Sequence, residues 1–527
     1  MRAIDYFDKS ANLYPDRPAI VDGDRSYSYS EVRDFSERIA RAMRGSGLER
    51  EERAAIYSPN HSAVLFCMLG ILRAGAAWVP INFRNAADAN VEFLNYSKTT
   101  WLFYSSHFQD QVDEIRKRVQ SIRHFICIDG LASDGPASAD TSLLAFMERQ
   151  GDSADRDWAD EYGNLDQIMG LVPTGGTTGP ARGVRVTNLA WGTMTELAMR
   201  YWKSDVANPV CLCTAPLSHA AAPVAFSILA MGGTNVVLPG FDAGQVLRAI
   251  EHHRVTHMFL PPTAFYSLLA HPEVGKSNCS SLRVFLLAGS PVSPDKLKQG
   301  VEVFGPCMCQ SYGQTEAPMI LTFLDARTVA AAAAGDHPDR LRSCGQPTAA
   351  VRVAIMDDDG RILPAGEAGE IVARGTLVSG GYFNLPEATA EIRRYGWHHT
   401  GDVGYMDEDG YLYIVDRKKD MIISGGFNVY CTEVEAGIMA LPQVLECAVI
   451  GVPDEKWGEA VKAIVVCRPG ESLTESDVLV HCKTKLGSVK SPKSVEFWAE
   501  IPKTPAGKLD RKTMRKPYWT GAEREVH

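Results

Sequence analysis

Long apolar runs are missing from this sequence. The longest, Ala63 to Leu72, stops at Arg73, about half of what a membrane-spanning helix needs, so it reads as a buried helix. An excess of positive charge is missing too: 54 Lys and Arg stand against 64 Asp and Glu, a formal −10. That balance argues against a general nucleic-acid or anionic-membrane surface, and any anionic ligand must be held by local devices. Zinc-type cysteine spacing is also lacking. The tight pairs among the 12 cysteines, Cys211/Cys213 and Cys307/Cys309, have one residue between them where zinc sites favour two to four. Both pairs lie in apolar, strand-like runs and read as buried thiols, and the count suits a reducing compartment. No internal repeat is visible. The opening residues MRAIDYFDKS have no apolar signal core, and the closing EREVH matches no retrieval or lipidation signal. A cytoplasmic setting is expected.

What is present is a chain of 527 residues, 45% apolar and 22% charged, the profile of a globular protein with two or more domains. SYSEVRDFSERIARAMRGSG has helical spacing and ends in Gly, ERAAIYSP and AAWVPIN read as short strands, and residues 130–163 read as a polar surface excursion. Helices alternating with apolar strands predict βαβ units and a mainly parallel sheet. The strands VCLCTAPL, TNVVLPG, THMFLPP, LRVFLLAG and CMCQSYG continue the pattern to about residue 325, helped by a short Ala helix at 330–334. After about 345, VRVAIMDDDGRILPAGEAGEIVARG and GYMDEDGYLYIVDR place Asp-Gly between alternating strands, a hairpin signal. The DEDG aspartates lack the other ligands of a calcium loop, so a turn is expected there. Residues 417–527 read as a separate small α+β unit.

Four stretches carry chemistry. The first, PTGGTTGPARG at 173–183, follows the apolar QIMGLVP and precedes helix-like LAWGTMTELAMRYW. Its glycines allow backbone N–H groups to converge on an anion, and Thr174, Thr177 and Thr178 add hydroxyls. Taken alone it reads equally as a flexible surface turn, and no Gly-Lys-Ser/Thr follows to make it a Walker-type loop. The second, QSYGQTEAP at 310–318, offers Tyr312 as a flat face for a purine, Thr315 as a hydroxyl and Glu316 as a hard carboxylate suited to Mg2+. The third runs from WHHTGDVG to IISGGFNVYCTEVE. In it Asp402 can bind both ribose hydroxyls, and Arg417 follows the hairpin. The fourth, PKTPAGKLDRK, puts Lys508 in a Pro/Gly loop near the end of the chain.

In this order the four stretches resemble the adenylate-forming superfamily of acyl- and aryl-CoA synthetases, amino-acid adenylation domains and firefly-type luciferases. The resemblance covers nearly the whole chain, and IISGGFNVY followed by EVE is most similar to fatty-acyl and related carboxylate–CoA ligases. It implies an α/β fold: a large N-terminal domain, 1–416, of packed and mainly parallel sheets with helices and a small β-rich subdomain, then a small mobile α+β domain, 417–527, with the hinge near 417–419. It implies ATP, Mg2+ and coenzyme A as cofactors. A carboxylate would attack the α-phosphate, giving acyl-adenylate and pyrophosphate, and the thiol of coenzyme A would then displace AMP.

The resemblance also implies roles residue by residue. The loop Thr174, Gly175, Gly176, Thr177, Thr178 and Gly179 would hold the β- and γ-phosphates. Arg182 stands where the family usually has Lys. Tyr312 would pack on adenine with Gly313 in the cofactor-binding set, Thr315 would contact the α-phosphate, Glu316 would bind Mg2+, and Asp402 would hold the ribose with Arg417 beside it. Lys419 would be the hinge, Gly425 and Gly426 would belong to the cofactor-binding set, and Lys508 would bridge the carboxylate and α-phosphate.

No Asp or Glu occurs in PLSHAAAPVAFSILAMGG, 216–233, where an amino-acid-activating relative would place the carboxylate that binds its substrate's ammonium. An apolar carboxylic acid, fatty, alicyclic or aryl, is therefore expected. His219 either gates the acyl tunnel or contacts the carboxylate, or is structural. A stand-alone enzyme loading a carrier protein and a nucleotide-binding module without turnover are the alternatives. The expected partners are small molecules, with no nucleic acid and no membrane span, for a monomer or homodimer.

Overall fold

Ser28 and Glu31 start the first long helix reciprocally. Ser28 Oγ accepts the Glu31 amide at 3.3 Å, and Glu31 accepts the Ser28 amide at 2.7 Å, a capping box that satisfies two otherwise orphaned donors. The helix runs Tyr29–Gly45. Beside it lies the apolar helix Ser62–Ala74, buried on nearly every side, as a helix without a polar face must be. Phe66 is fully buried there and stacks on Phe35 with ring centroids 4.7 Å apart, a burial worth about 2–3 kcal/mol.

The computed structural model describes residues 1–129, 141–148, 164–174, 181–503 and 509–519. These divide into two compact units: 1–129, 141–148, 164–174, 181–353 and 373–398 in the first, and 354–372, 399–503 and 509–519 in the second. The first is built on two sheets. A seven-stranded sheet has the order Thr141–Ser142, His124–Cys127, Trp101–Tyr104, Arg53–Tyr57, Ala77–Pro80, Ile168–Thr174, Arg182–Thr187. All its pairs are parallel except the last. A nine-stranded sheet centres on Met308–Tyr312, Val284–Leu287, His257–Leu260, Val210–Cys213 and Thr234–Val237, all parallel. The α/β class with mainly parallel sheets is therefore as the alternation predicts. Cys211, Cys213, Cys307 and Cys309 are buried free thiols, and burial pushes the Cys307 thiol up to about 12, which makes it inert.

Two expectations are corrected. Residues 141–148, inside the expected polar excursion, form an edge strand and the helix Leu143–Met147, because Leu143, Phe146 and Met147 are apolar and buried. The stretch 173–183 is not all loop: its ends belong to strands, and the expected helix follows as Asn188–Tyr201. The strand Arg182–Thr187 returns antiparallel along Ile168–Thr174, with Thr174 opposite Arg182. Alternating Val184 and Val186 face inward there, a period-two signal hidden behind the glycines.

In the second unit the strands His398–Met406 and Leu412–Arg417 form the expected hairpin across Asp407–Gly410. Asp407 is used by the turn itself, accepting the Tyr411 amide and the Tyr413 hydroxyl. A five-stranded sheet follows, whose central strands are Val444–Asp454 and Gly458–Cys467. Alternate residues give it two cores. Val449, Val461 and Val465 pack with Val434 and Val478, while Ala448, Ile450 and Ile464 pack with Ile501 and Met514. Among the described residues no helix is long and apolar enough to cross a membrane.

Ser28→Ala removes the cap. We expect a loss of about 1 kcal/mol, read as a fall of the order of 2 °C in Tm, with ATP binding unchanged by calorimetry.

Candidate active site

In the first unit the site is assembled by a short pairing that joins distant parts of the chain. Residues 380–383 run along the strand that leaves the glycine-rich loop. The Gly380 amide donates to Arg185, the Arg185 amide to Gly381 and the Phe383 amide to Gly183, each at 2.8 Å, and Tyr382 sits opposite Val184. Tyr382 projects from this pairing and its hydroxyl donates to Glu316 Oε1 at 2.6 Å. The Arg182 guanidinium lies over the Tyr382 ring, 5.4 Å from its centroid. The Ser379 amide also donates to the backbone carbonyl of Glu316 at 2.8 Å. Burial raises the Tyr382 phenol above its ordinary pKa, and the charge and hydrogen bond of Glu316 add to the rise while Arg182 opposes it. The phenol therefore stays protonated and is a permanent donor.

Tyr312 ends the buried strand Met308–Tyr312. The chain then loops out and returns at Leu321, whose amide donates to the Tyr312 carbonyl at 2.8 Å. Gly313 makes that loop possible, since a Cβ there would lie 2.6 Å from the Met319 backbone. Thr315 and Glu316 stand half-buried on this loop. Thr174 and Arg182 face each other across the hairpin, whereas Gly175, Gly176, Thr177, Thr178 and Gly179 lie outside the described residues. His219 is exposed in the turn before the helix Ala221–Ala230, with Nδ1 3.2 Å from Ser218 Oγ. That helix is core: Ala222, Ala225, Phe226, Ile228 and Leu229 are fully buried. Packing accounts for its lack of acidic residues, so its apolar character is not by itself a substrate signal.

In the second unit Asp402 and Arg417 are cross-strand partners. Asp402 is buried and Arg417 Nε approaches its Oδ1 at 2.7 Å. Next in the chain, Lys418 Nζ reaches Asp358 at 2.6 Å and the buried Glu370 at 3.1 Å, and His399 Nδ1 lies 3.0 Å from Glu370. Burial holds the Lys419 ammonium below its ordinary pKa, against the pull of Asp420. Asp420 meets Arg515 at 3.0 Å and Arg511 at 3.8 Å, and Arg511 also pairs with Glu435 at 2.6 Å. Gly425 and Gly426 form the two-residue turn between Ile422–Ser424 and Phe427–Val429, with φ of 59° and 80°. Left-handed backbone at both positions is what such a turn requires. Lys508 lies outside the described residues.

A bound divalent cation suits the donors in the first unit. Among the described residues no cluster of three or more His, Cys, Asp or Glu side chains could hold a metal unaided. Glu316 offers one hard carboxylate, and Mg2+ commonly takes one or two carboxylates together with substrate phosphates. Sequence reasoning missed Tyr382, Glu370, His399 and Arg511. The Gly-Gly-Tyr of SGGYFN and the paired histidines of WHHT were the only local signals, and neither names its partner.

Burial alone would raise the pKa of Glu370, but the close approach of the His399 imidazole and the Lys418 ammonium outweighs it and holds the carboxyl at about 2. A carboxylate with a lowered folded pKa stabilises above its unfolded value, near 4.5, and that stability is lost as pH falls toward the folded value. We expect Glu370→Gln to cost about 2 kcal/mol at neutral pH. In denaturant titrations its gap from the wild type should narrow progressively below about pH 4.5.

Two family models match the chain: AMP-binding enzyme over residues 7–383, and AMP-binding enzyme C-terminal domain over 433–508. A medium/long-chain-fatty-acid–CoA ligase of Mycobacterium tuberculosis is 43% identical over 369 residues, 68% of this chain and 63% of that protein. A feruloyl-CoA synthase of an Amycolatopsis species is 36% identical over 515 residues, 97% of this chain and 98% of that protein. Among solved structures, an amide bond synthetase from Marinactinospora thermotolerans superposes with a TM-score of 0.86 at 29% identity, covering 98% of this chain and all of that one. With a family model spanning most of its length and a relative aligned almost end to end, the chain belongs to the AMP-binding enzyme family, an AMP-forming acid–thiol ligase of the adenylate-forming superfamily close to the acyl-CoA ligases.

Proposed function

We propose that the protein is a carboxylic acid–CoA ligase acting on an apolar acid, fatty, alicyclic or aryl. In the first half-reaction a carboxylate oxygen attacks the α-phosphorus of ATP, the α–β bridging bond breaks and pyrophosphate leaves. In the second, the sulfur of coenzyme A attacks the acyl carbon, the thiol loses its proton and AMP departs. The observation that carries the reading is the meeting of Glu316, Tyr382 and Arg182 beside the strand that follows the Gly/Thr stretch in the chain. Relatives named for fatty-acid and feruloyl substrates support an apolar acid.

Negative charge builds up when one anion attacks another, so the site must supply local positive charge. Mg2+, when bound through Glu316 and the phosphates, offsets part of it. Lys508 supplies the rest between the carboxylate and the α-phosphate. Thr174 and its loop hold the outer phosphates and Thr315 the α-phosphate. Tyr312, beside the close-packed Gly313, covers adenine. Asp402 takes the ribose hydroxyls and is held in place by its pairing with Arg417. In the first half-reaction no side chain need act as base, because the acid is already ionised at neutral pH, and in the second the thiol proton passes to solvent. Lys419 is the pivot on which residues 417–527 turn between the half-reactions, withdrawing Lys508 before the thiol arrives. Gly425 and Gly426 sit just beyond that pivot, and His219 lies on the acyl side. Twelve free thiols suit a reducing, cytoplasmic setting.

The test is pyrophosphate release over a panel of carboxylic acids, each with and without coenzyme A, with thioester followed by mass. Release that rises with coenzyme A, together with thioester, is expected. Release without thioester would replace coenzyme A by a carrier protein or an amine as acceptor, and ATP binding with no release on any acid would make this a binding module. Lys508→Ala should lower adenylate formation by about 10²-fold or more and largely spare thioester formation from supplied acyl-adenylate. Equal loss in both steps would remove the two-state role of the lysine.

A further inference from the structure

We propose that Tyr382 is a positioning residue for Glu316, fixing the orientation of that carboxylate so that one oxygen is left for Mg2+. The inference rests on the ligase reading only in taking Glu316 as the cation ligand.

The carboxylate plane of a half-buried glutamate on a loop can swing widely, because its terminal torsion is broad. Here a hydrogen bond restrains it. The Tyr382 hydroxyl donates to Oε1 at 2.6 Å, and among the described residues Oε2 takes no hydrogen bond. Hydrogen bonds to an ionised acceptor are the strong ones, so one oxygen is engaged and the other is left for a cation.

Tyr382 is itself held on every side. Its amide donates to Thr389 Oγ1 at 3.0 Å. The neighbouring carbonyl of Phe383 accepts the Tyr96 hydroxyl, and that of Ser379 accepts Arg393. Its backbone pairs with Val184, two residues after Arg182. The ring therefore moves with the strand that anchors one end of the glycine-rich loop, and the carboxylate is registered to that strand as well as to its own loop. Arg182, stacked over the ring, takes part in the same arrangement. A lysine has no planar guanidinium to lay on an aromatic face, which gives the arginine at this position a role in orienting Tyr382.

The test is calorimetric ATP binding to the full-length protein, with Mg2+ and in EDTA, for wild type, Tyr382→Phe, Glu316→Gln and the double variant. We expect Tyr382→Phe to reduce the Mg2+-dependent gain in ATP affinity about tenfold, the usual consequence of losing a hydrogen bond to a charged group. Affinity in EDTA should stay within about twofold and Tm within about 2 °C, since only a hydroxyl is removed. In the Glu316→Gln background the same substitution should change nothing further, because the two act as one unit. A wild-type Mg2+ gain in Tyr382→Phe, or the same tenfold loss in both backgrounds, would overturn the positioning role while leaving the ligase reading intact. A wild type that shows no Mg2+ gain would remove Glu316 as a ligand and the role of Tyr382 with it. Failure of the ligase reading itself is seen separately, as absent pyrophosphate release.

Discussion

Four residues laid along a strand hold the first unit's chemistry together. The pairing of 380–383 with Arg182–Thr187 is small, yet it is the means by which a hairpin near residue 180, a loop near 316 and a segment near 382 reach one point. Each of these comes from an element with its own reason to exist. The hairpin closes the edge of one sheet, the loop follows a parallel strand of the other, and the connecting segment is pinned by Tyr96, Thr389 and Arg393. Most of the precision at Glu316 therefore comes from backbone pairing, and a single phenol converts that pairing into side-chain geometry.

The second unit solves a different problem. Around Lys419 the chain is held by charge as well as by packing. Lys418 is tied to Glu370 and Asp358, and Asp420 to Arg511 and Arg515. Arg511 and Glu435 meet at 2.6 Å with both side chains largely out of solvent. Removing either partner of such a pair would leave an uncompensated buried charge. Burial raises the Glu435 carboxyl, which Arg511 counteracts, and Arg511 is held firmly cationic by the surrounding acids despite its own burial.

The fold was largely legible because its signals are local. Apolar runs such as LRVFLLAG became the buried strands they read as, and Asp-Gly marked a hairpin whose own aspartate serves the turn. The strand Arg182–Thr187 escaped because its alternation begins inside a glycine-rich stretch, and Leu143–Met147 escaped because its apolar cluster is short and flanked by polar residues. In the site, glycines, threonines and single acids at fixed spacings were visible as candidates. Tyr382 was not, since an aromatic after two glycines declares no partner 66 positions away. Long-range pairs are invisible to reasoning that moves along the chain, and the site's supporting residues are almost all of that kind. The helix Ala221–Ala230 is the opposite case: its apolar composition is what burial requires in any event, so it does not separate a substrate lining from core packing.

The hairpin carries one more implication, for how such proteins diverge. Its two strands keep their register from Gly170 opposite Val186 to Thr174 opposite Arg182. A residue gained or lost between positions 174 and 182 leaves every side chain on both strands facing as before, whereas the same change within a strand would reverse its faces. What the phenol and carboxylate need from the hairpin is that these strand faces stay as they are, a demand placed on residues 168–174 and 182–187 themselves.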